Sequence, residues 1–248
     1  GNLAGYETKN PRYVLLLPAE SKDTSLVMTS SYTGMLLAGI LVARIRNLEG
    51  LAGQVDLLCR YGRQILQHDV ARIRSIAEKD FRRVIFLGSG PLAGTAAEAQ
   101  LKVQEMTDGK VICKHDSYLG FRHGPRAVID TQTMVVYFFS NEEYVLGYER
   151  DMVRSMKEMK KAMYEVGVGE DADLMLTLDE SIAFLRDSSR LEEDFLPVCA
   201  ILPAQVLGFF TSLRLGLRPD SPSESGTISR IVSGVVIHSF DYGKVAVD

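Results

Sequence analysis

The sequence predicts an α/β protein in which helices cover both faces of a mostly parallel sheet. Two short runs of large apolar residues, 84–87 and 134–139, have the composition of strands that are buried on both faces. Charged segments with helical periodicity, such as 151–163, alternate with these runs. Because strands that alternate with helices build βαβ units, this order predicts parallel strands in a layered fold.

Composition limits the classes of protein to which the chain can belong. Its 248 residues are 46% hydrophobic and 24% charged, which is enough to bury a core in one large domain or two smaller ones. The net charge of −4 argues against nucleic acid or an anionic membrane as a partner. Apolar runs such as 35–43 are too short to span a bilayer. Three widely spaced cysteines and no recognisable signal peptide favour a cytoplasmic protein without disulfides.

The first part of the chain is predicted to contain a buried strand and a helix with a hydroxyl-rich start. Residues 13–18 have the apolar composition of a strand, and a helix is expected over about 26–47. Hydroxyl residues just before this helix suit capping. Three consecutive hydroxyl residues inside it, which include Thr29 and Ser30, are unfavourable for a helix. They indicate either close packing of small side chains or a surface that faces a polar ligand.

Two further segments are predicted to be helices that help to build the core. Residues 50–80 carry apolar side chains at helical spacing and predict one long helix, or a broken pair, that bridges two layers. Residues 195–217 contain few charges and predict a largely buried helix with a break around Pro203. Residues 218–230 form a polar loop by composition. This tail either closes over a site or is a terminal arm.

The turn after the first central strand predicts a site for a small anion. Gly88 and Gly90 permit unusual backbone angles and a close approach by another molecule, with Ser89 between them. Pro91 suits the first position of the helix that follows. Free N–H groups and the helix dipole at such a turn attract an anion such as phosphate. The turn lacks the third glycine of a dinucleotide-binding motif, and no Walker-type sequence is present.

The helix after this turn and a later loop carry the candidate catalytic groups. Glu98, Lys102 and Glu105 are spaced so that they lie along one helix face, either as a solvated stripe or as part of a site. His123 lies in the loop Gly120–Pro125. A carboxylate and a histidine without zinc-ligand spacing suit proton transfer. We expect the hydroxyl-rich helix start, the turn with its helix and the His123 loop to meet at the carboxyl edge of the sheet. The residues alone leave an enzyme and a binding protein equally open.

Four segments together resemble the SIS (sugar isomerase) family, and especially its AgaS branch of tagatose-6-phosphate ketose/aldose isomerases. They are Leu87–Pro91, the Glu98–Lys102–Glu105 helix, Gly120–Pro125 and Ser225–Arg230. The resemblance covers nearly the whole chain and implies tandem flavodoxin-like subdomains with three-layer α/β/α architecture.

The resemblance also implies a domain organisation. Residues 1–79 would be the C-terminal part of a first SIS subdomain with the bridging helix, 80–217 a complete second subdomain, and 218–248 a tail that closes over the site. Family members are longer, and the phosphate loop expected in the first subdomain has no counterpart before Tyr13. The chain on its own is therefore expected to bind sugar phosphates weakly or not at all.

The activity that the resemblance implies is aldose–ketose isomerisation of a sugar phosphate such as tagatose-6-phosphate, with deamination of galactosamine-6-phosphate as a further option. Glu105 matches the carboxylate that moves a proton between C1 and C2 through an enediol or enolamine. His123 matches the histidine that opens the sugar ring, and it reaches into the site of the neighbouring subunit in a homodimer. No metal or cofactor is implied, and neither nucleic acid nor a membrane is expected as a partner.

The resemblance assigns supporting roles to further residues. Glu98 and Lys102 match positions that order the helix and polarise the site. The predicted substrate-binding residues also include Thr29, Ser30, Ser89 and Ser233. Ser233 stands near the place where a related synthase has a tail lysine, so lysine-assisted chemistry is not expected. A sugar-phosphate sensor without catalysis and a fructosamine-6-phosphate deglycase are the alternative functions.

Overall fold

The computed structural model describes residues 5, 7–159, 162–170, 175, 177–184, 189–230, 234–236 and 238, and every structural statement below concerns these residues. They contain one five-stranded sheet in which all neighbouring strands are parallel. The strands are β1 (Arg83–Leu87), β2 (Ile112–Asp116), β3 (Thr133–Phe138), β4 (Tyr164–Gly169) and β5 (Glu180–Ala183). Their spatial order is β2–β1–β3–β4–β5, as in flavodoxin-like folds, which confirms the predicted fold class.

Eight α-helices in the described residues surround the sheet or extend beyond it. They are α1 (Ser30–Ala43), α2 (Ala52–Gln64), α3 (Val70–Ala77), α4 (Pro91–Met106), α5 (Tyr118–Phe121), α6 (Glu143–Met159), α7 (Leu196–Ala200) and α8 (Leu202–Arg214). A π-helical turn, Ile65–Asp69, joins α2 to α3, so the predicted long helix is present as one continuous helical unit. The predicted break in the late helix lies at Ile201, and Pro203 is in the first turn of α8.

The helices form one layer on each face of the sheet. Side chains from α2, α3, α4, α7 and α8 pack in one apolar cluster with the alternate strand residues Val84 and Phe86. Ile85 and Leu87 point the other way and pack with α5 and α6 in a second cluster. Because successive strand residues face opposite sides, a run that is apolar at every position must be covered twice. This burial fixes α4 on one face and the segment after β2 on the other.

The turn at the end of β1 depends on glycine. A Cβ on Gly88 would lie 2.2 Å from the Leu92 carbonyl oxygen, a distance that no side chain tolerates. Gly90 has a φ of 51°, in the region that glycine occupies most readily. Pro91 is the first residue of α4, as predicted. The two glycines therefore let the chain leave the sheet and enter the helix within three residues.

Two expectations for the first part of the chain are wrong. Residues 13–17 pair with no strand in the described structure, and Tyr13 and Leu16 are 87% and 75% exposed. The helix begins at Ser30 rather than near 26, because the preceding segment folds back to cap it. The apolar composition of 13–17 suits a strand, but a strand forms only where another strand pairs with it.

One helical run, Glu193–Arg214, is long and apolar enough to cross a bilayer by length and composition. The apolar runs were expected to be too short to span a bilayer, and this run is an exception by length; the sequence also predicted a largely buried helix over 195–217. In the described structure, 72% of its apolar window is buried inside the protein. The run packs against α3 and α4, which is the position of a core helix.

Candidate functional site

A buried lysine lies between two glutamates on α4. The Lys102 Nζ donates to Glu105 Oε2 at 3.1 Å and lies 3.2 Å from Glu98 Oε1. Only 4% of Lys102 is exposed, so the predicted alternative of a solvated stripe is wrong. The Glu98 and Glu105 side chains are 15% and 28% exposed. A buried ammonium requires charged partners, and here one cation holds two carboxylates in place.

The burial of Lys102 follows from the close crossing of α4 and α8. Gly208 of α8 lies against α4, where an added Cβ would be 2.8 Å from Met106 Sδ and 3.4 Å from the Val103 Cα. Without a side chain at Gly208, the backbones approach closely and exclude water from the face that carries Lys102. The third contact of the added Cβ is the Lys102 carbonyl oxygen, at 3.6 Å.

An aspartate caps the hydroxyl-rich start of α1. The Asp23 carboxylate accepts hydrogen bonds from the backbone N–H groups of Thr29, Ser30 and Ser31, at 3.0, 3.1 and 2.9 Å. It also accepts bonds from the Thr29 and Ser31 hydroxyls. Burial opposes ionisation of this carboxyl, but these bonds outweigh it and lower the pKa of Asp23 to about 2. Capping therefore explains part of the hydroxyl cluster, and Asp23 is the residue that the sequence analysis missed.

A cavity of about 510 Å³, which we call the helix-start cavity, brings α1 together with the end of α4. Thr29 and Ser30 line it, and so does Met106, the residue that follows Glu105. Glu105 itself is not among the lining residues. Tyr32 of α1 also lies within electrostatic range of Glu98 of α4, since burial and the charge of Glu98 raise the pKa of the Tyr32 phenol. Tyr32 was also missed, since nothing in its local sequence marks it.

His123 lies on the other side of the sheet from Glu105. It follows α5, is exposed, and lines a surface cavity of about 300 Å³ with Arg126 and Met159. Met159 ends α6 and packs on the apolar cluster of that face. Within one chain the structure therefore does not bring His123 to the Glu105 carboxylate.

The glycine turn is occupied by the protein's own carboxylates. The Ser140 N–H donates to Glu149 Oε2 at 2.9 Å, and the Ser140 hydroxyl donates to Glu193. Burial raises the pKa of Glu149 to about 7; the Glu193 charge adds to this, while bonds from Ser140 and Ser89 oppose it. A Cβ on Gly90 would be 3.9 Å from Glu193 Oε1, so this carboxylate lies beside the start of α4. Two acidic groups fill the position that the sequence predicted for an anion.

The three predicted elements do not meet at one edge of the sheet. Ser89 lies just before the first turn of α4 and Glu105 lies in its last turn, and the helix from Pro91 to Glu105 is about 21 Å long. Thr29 and Ser30 lie toward the Met106 end, as the helix-start cavity shows. The expected convergence is wrong because the start of α1 meets the last turn of α4 instead of the first. One six-carbon sugar phosphate cannot contact both Ser89 and Glu105.

The tail contacts the helix-start cavity, and the predicted residue Ser233 lies outside the described residues. The backbone N–H of Leu26 donates to the Asp220 carbonyl oxygen at 2.9 Å, and Pro219 and Asp220 line the cavity. In the described part of the chain, no group of three or more His, Cys, Asp or Glu side chains is placed to hold a metal ion.

Comparisons with known proteins find relatives that are named as enzymes of sugar phosphates. The chain is 36% identical over 241 residues to D-galactosamine-6-phosphate deaminase AgaS of Shewanella sp. strain ANA-3, covering 97% of this chain and 58% of the relative. A solved structure from Clostridium novyi NT, provisionally named a tagatose-6-phosphate ketose/aldose isomerase, has a TM-score of 0.88 and 34% identity, covering 92% of this chain and 59% of that one. For the tagatose-6-phosphate ketose/aldose isomerase of Escherichia coli, the TM-score is 0.77 and the identity 28%, with coverage of 92% and 58%.

The matched length is limited in the same way in each comparison. The chain spans 58% or 59% of the length of these three relatives. No family model matches the chain.

Proposed function

Because this chain is a homologue of the AgaS proteins, with the fold of the SIS sugar isomerases, we propose that it isomerises a six-carbon sugar phosphate between aldose and ketose forms. The relatives' names supply the first substrates to test, galactosamine-6-phosphate and tagatose-6-phosphate. The observation that carries the proposal is the clamp of Lys102 on Glu105, a carboxylate that is fixed in position and still 28% exposed. A positioned carboxylate of this kind can move a proton.

The proposed chemistry needs one carboxylate that takes and returns a proton. Glu105 removes the proton from C2 of the open-chain aldose as the C1 oxygen gains a proton, which gives an enediol. Glu105 then returns its proton to C1 while the C2 hydroxyl loses a proton and becomes the ketone. With an amino group at C2 the intermediate is an enolamine, and the resulting imine is hydrolysed by water to ketose and ammonia. Lys102 keeps Glu105 in one position through the bond at 3.1 Å. Thr29 and Ser30 are proposed to contact the sugar from α1.

We assign ring opening to His123 of a second copy of the chain. This is supported by its exposure and by its position on the face of the sheet opposite Glu105, from which it cannot serve the Glu105 of its own chain. A homodimer is then a condition of activity. The tail is proposed to cover the site, in line with its contact at Leu26. We also propose a cytoplasmic location, in which Cys59, Cys113 and Cys199 stay reduced.

The domain division keeps its predicted boundaries as a proposal. Residues 80–217 contain the five described strands and would form a complete SIS subdomain. Residues 1–79 contribute α1 and the continuous helical unit from α2 to α3, which supports their assignment to part of a first subdomain. The regular elements in the described residues up to 79 are all helices, which agrees with one face of such a unit rather than with its sheet.

Turnover of galactosamine-6-phosphate, measured as ammonia and ketose phosphate at a high substrate concentration because weak binding is expected of this chain, tests the proposed activity. The Glu105→Gln variant should lose about 10²- to 10⁴-fold in rate, because it removes the group that transfers the proton. Glu142→Gln makes the same change at an exposed position and should leave the rate unaltered. Equal turnover by Glu105→Gln and the wild-type chain refutes the assigned role. Binding without any turnover would favour the sensing alternative.

Mixing two inactive variants tests the proposed position of His123. If His123 acts in the neighbouring subunit, a Glu105→Gln chain and a His123→Ala chain form hybrid dimers with one intact site. Equal mixing then restores about a quarter of the wild-type sites, from the statistics of a symmetric dimer. No recovery in demonstrably mixed dimers refutes action between subunits.

A further inference from the structure

The surface cavity beside His123, of about 300 Å³, has the composition of an anion site. His123 and Arg126 line it, together with Gly124, Ala127, Ile129 and Met159. No carboxylate is among its described lining residues. His123 is exposed and Arg126 is half-buried, so a small ligand can reach both side chains. The cavity therefore presents an imidazole and a guanidinium to a ligand.

The positive charge of Arg126 is not neutralised within the described structure. Its Nη1 atom donates to the Ser155 hydroxyl at 2.9 Å, which is a neutral partner. No carboxylate of the described chain lies within ion-pair distance of it, and Asp130, the nearest carboxylate along the chain, is paired with Arg83. The bond to Ser155 holds the guanidinium in place while its other N–H groups remain available. A guanidinium with free donors matches the geometry of a phosphate group.

A second arginine adds to the positive charge around this cavity. Arg122 immediately precedes His123 and is half-buried, and its side chain has no partner in the described part of the chain. It does not line the cavity itself. Two guanidiniums close to His123 raise the local concentration of anions there. Because Ile129 and Met159 supply apolar walls, a phosphate on a carbon chain suits the cavity better than a bare ion.

The role proposed for His123 also places a phosphate nearby. In a hexose 6-phosphate the phosphate is attached to C6, and C6 is bonded to the carbon that carries the ring oxygen. A group that reaches the ring oxygen in order to open the ring therefore lies close to the phosphate. The two helix starts are already occupied, because that of α1 is bonded to Asp23 and Glu193 lies beside that of α4. The loop that carries His123 supplies cations instead.

We propose that the cavity beside His123 binds the phosphate of a sugar 6-phosphate, and that Arg126 donates hydrogen bonds to the phosphate oxygens. This assignment rests on the proposed function for the identity of the sugar. Each site of the dimer then takes its phosphate-binding group and its ring-opening histidine from one chain, and Glu105 from the other. Arg126 is a substrate-binding residue in this arrangement.

NMR of the histidine side chains, with inorganic phosphate as the probe, tests the site on the full chain without turnover. At constant pH and ionic strength, phosphate should shift the imidazole signals of His123 saturably and leave those of His68 and His115 unchanged. Arg126→Gln should weaken this binding about tenfold or more, because a charge-assisted hydrogen bond is lost. Arg63→Gln removes the same charge from an exposed position of α2 and should leave the affinity unaltered.

Two sugars and the turnover assay connect the site to the substrate. Galactosamine-6-phosphate should shift the His123 signals as inorganic phosphate does, whereas galactosamine at the same concentration should not. In turnover of galactosamine-6-phosphate, Arg126→Gln should raise KM about tenfold or more and change kcat less, because the phosphate is held equally in the ground and transition states.

The outcomes separate this assignment from the proposed activity. Unshifted His123 signals, or equal weakening by Arg126→Gln and Arg63→Gln, overturn the site. An equal shift by galactosamine overturns the role of the phosphate. Saturable binding of both phosphates with no turnover by the wild type supports the site and refutes the isomerase. An unchanged KM in Arg126→Gln overturns the placement of the substrate's phosphate and leaves the isomerase in place.

Discussion

Glu149→Gln should make the protein more stable above neutral pH and remove part of its pH dependence. Glu149 is fully buried, and its Oε2 accepts a bond from the Ser140 N–H. Its Oε1 has no partner in the described structure. Burial and the nearby Glu193 charge raise its pKa from the ordinary 4.5 to about 7. A glutamine side chain has the shape of the protonated acid and can accept the same bond, but it never ionises.

The size of the effect follows from proton linkage. Below pH 4.5 the carboxyl is protonated in both folded and unfolded chains, so its stability contribution does not change there. Between 4.5 and about 7 the folded protein binds more protons, and the free energy of unfolding falls as the pH rises. The separation of the two pKa values corresponds to roughly 3 kcal/mol lost by pH 8. The Glu149→Gln variant does not undergo this loss, because its amide carries no charge at any of these pH values.

Urea unfolding of the wild type and Glu149→Gln at half-unit steps from pH 5 to 8 measures the difference. Subtracting the two curves of unfolding free energy against pH cancels the contributions of the titrating groups that both proteins share. The variant should gain stability relative to the wild type as the pH rises, by up to about 3 kcal/mol. Glu142→Gln, at an exposed position, should give a flat difference. A flat difference for Glu149→Gln would show that Glu149 ionises normally and that the burial argument fails.

Four further substitutions test the local interactions. Lys102→Met should cost about 3–5 kcal/mol in urea unfolding, because it leaves two carboxylates facing each other without their buried cation. Gly88→Ala should prevent folding, judged by near-UV circular dichroism, because its Cβ would lie 2.2 Å from the Leu92 carbonyl oxygen. Gly94→Ala is the matched control: an added Cβ there meets no atom within 4 Å, and the substitution should stabilise α4 by about 1 kcal/mol. Asp23→Asn should cost about 1 kcal/mol at pH 7 through weaker capping, and the difference should shrink as the pH falls toward 2, since Asp23 loses its charge there. An equal difference at both pH values would contradict the capping argument.

The sheet was predictable because its signal is local. A run that is apolar at every position, such as 84–87, must be covered on both faces, and the structure buries all four of these residues. The same apolar composition at 13–17 predicted a strand that the described structure lacks, because a strand needs a partner strand that the local sequence does not specify. The start of α1 was placed too early for a related reason. Asp23 reaches across six residues to Thr29, a longer distance than an ordinary capping pattern spans.

The candidate site was predictable only where its residues share one helix. The spacing of Glu98, Lys102 and Glu105 fixed a common face, and the structure confirms their contacts. Whether that face was solvated depended on Gly208, more than a hundred residues later, which no local pattern connects to α4. The carboxylates that lie at the glycine turn could not be predicted from the local sequence either. Glu149 lies in an amphipathic helix and looks like a surface residue until α6 is placed on the sheet.

The two ends of α4 have different electrostatic states, and this difference locates the proposed chemistry. At the start of the helix, the Glu193 and Glu149 carboxylates already lie where the helix dipole favours negative charge, so a phosphate there would meet two acidic groups. At the start of α1, the N–H groups are bonded to Asp23 and are equally unavailable. Neither helix start can therefore hold the phosphate of a substrate without displacing a bonded carboxylate. Phosphate recognition must come from other groups, while the second half of α4, next to the helix-start cavity, supplies the Glu105 carboxylate.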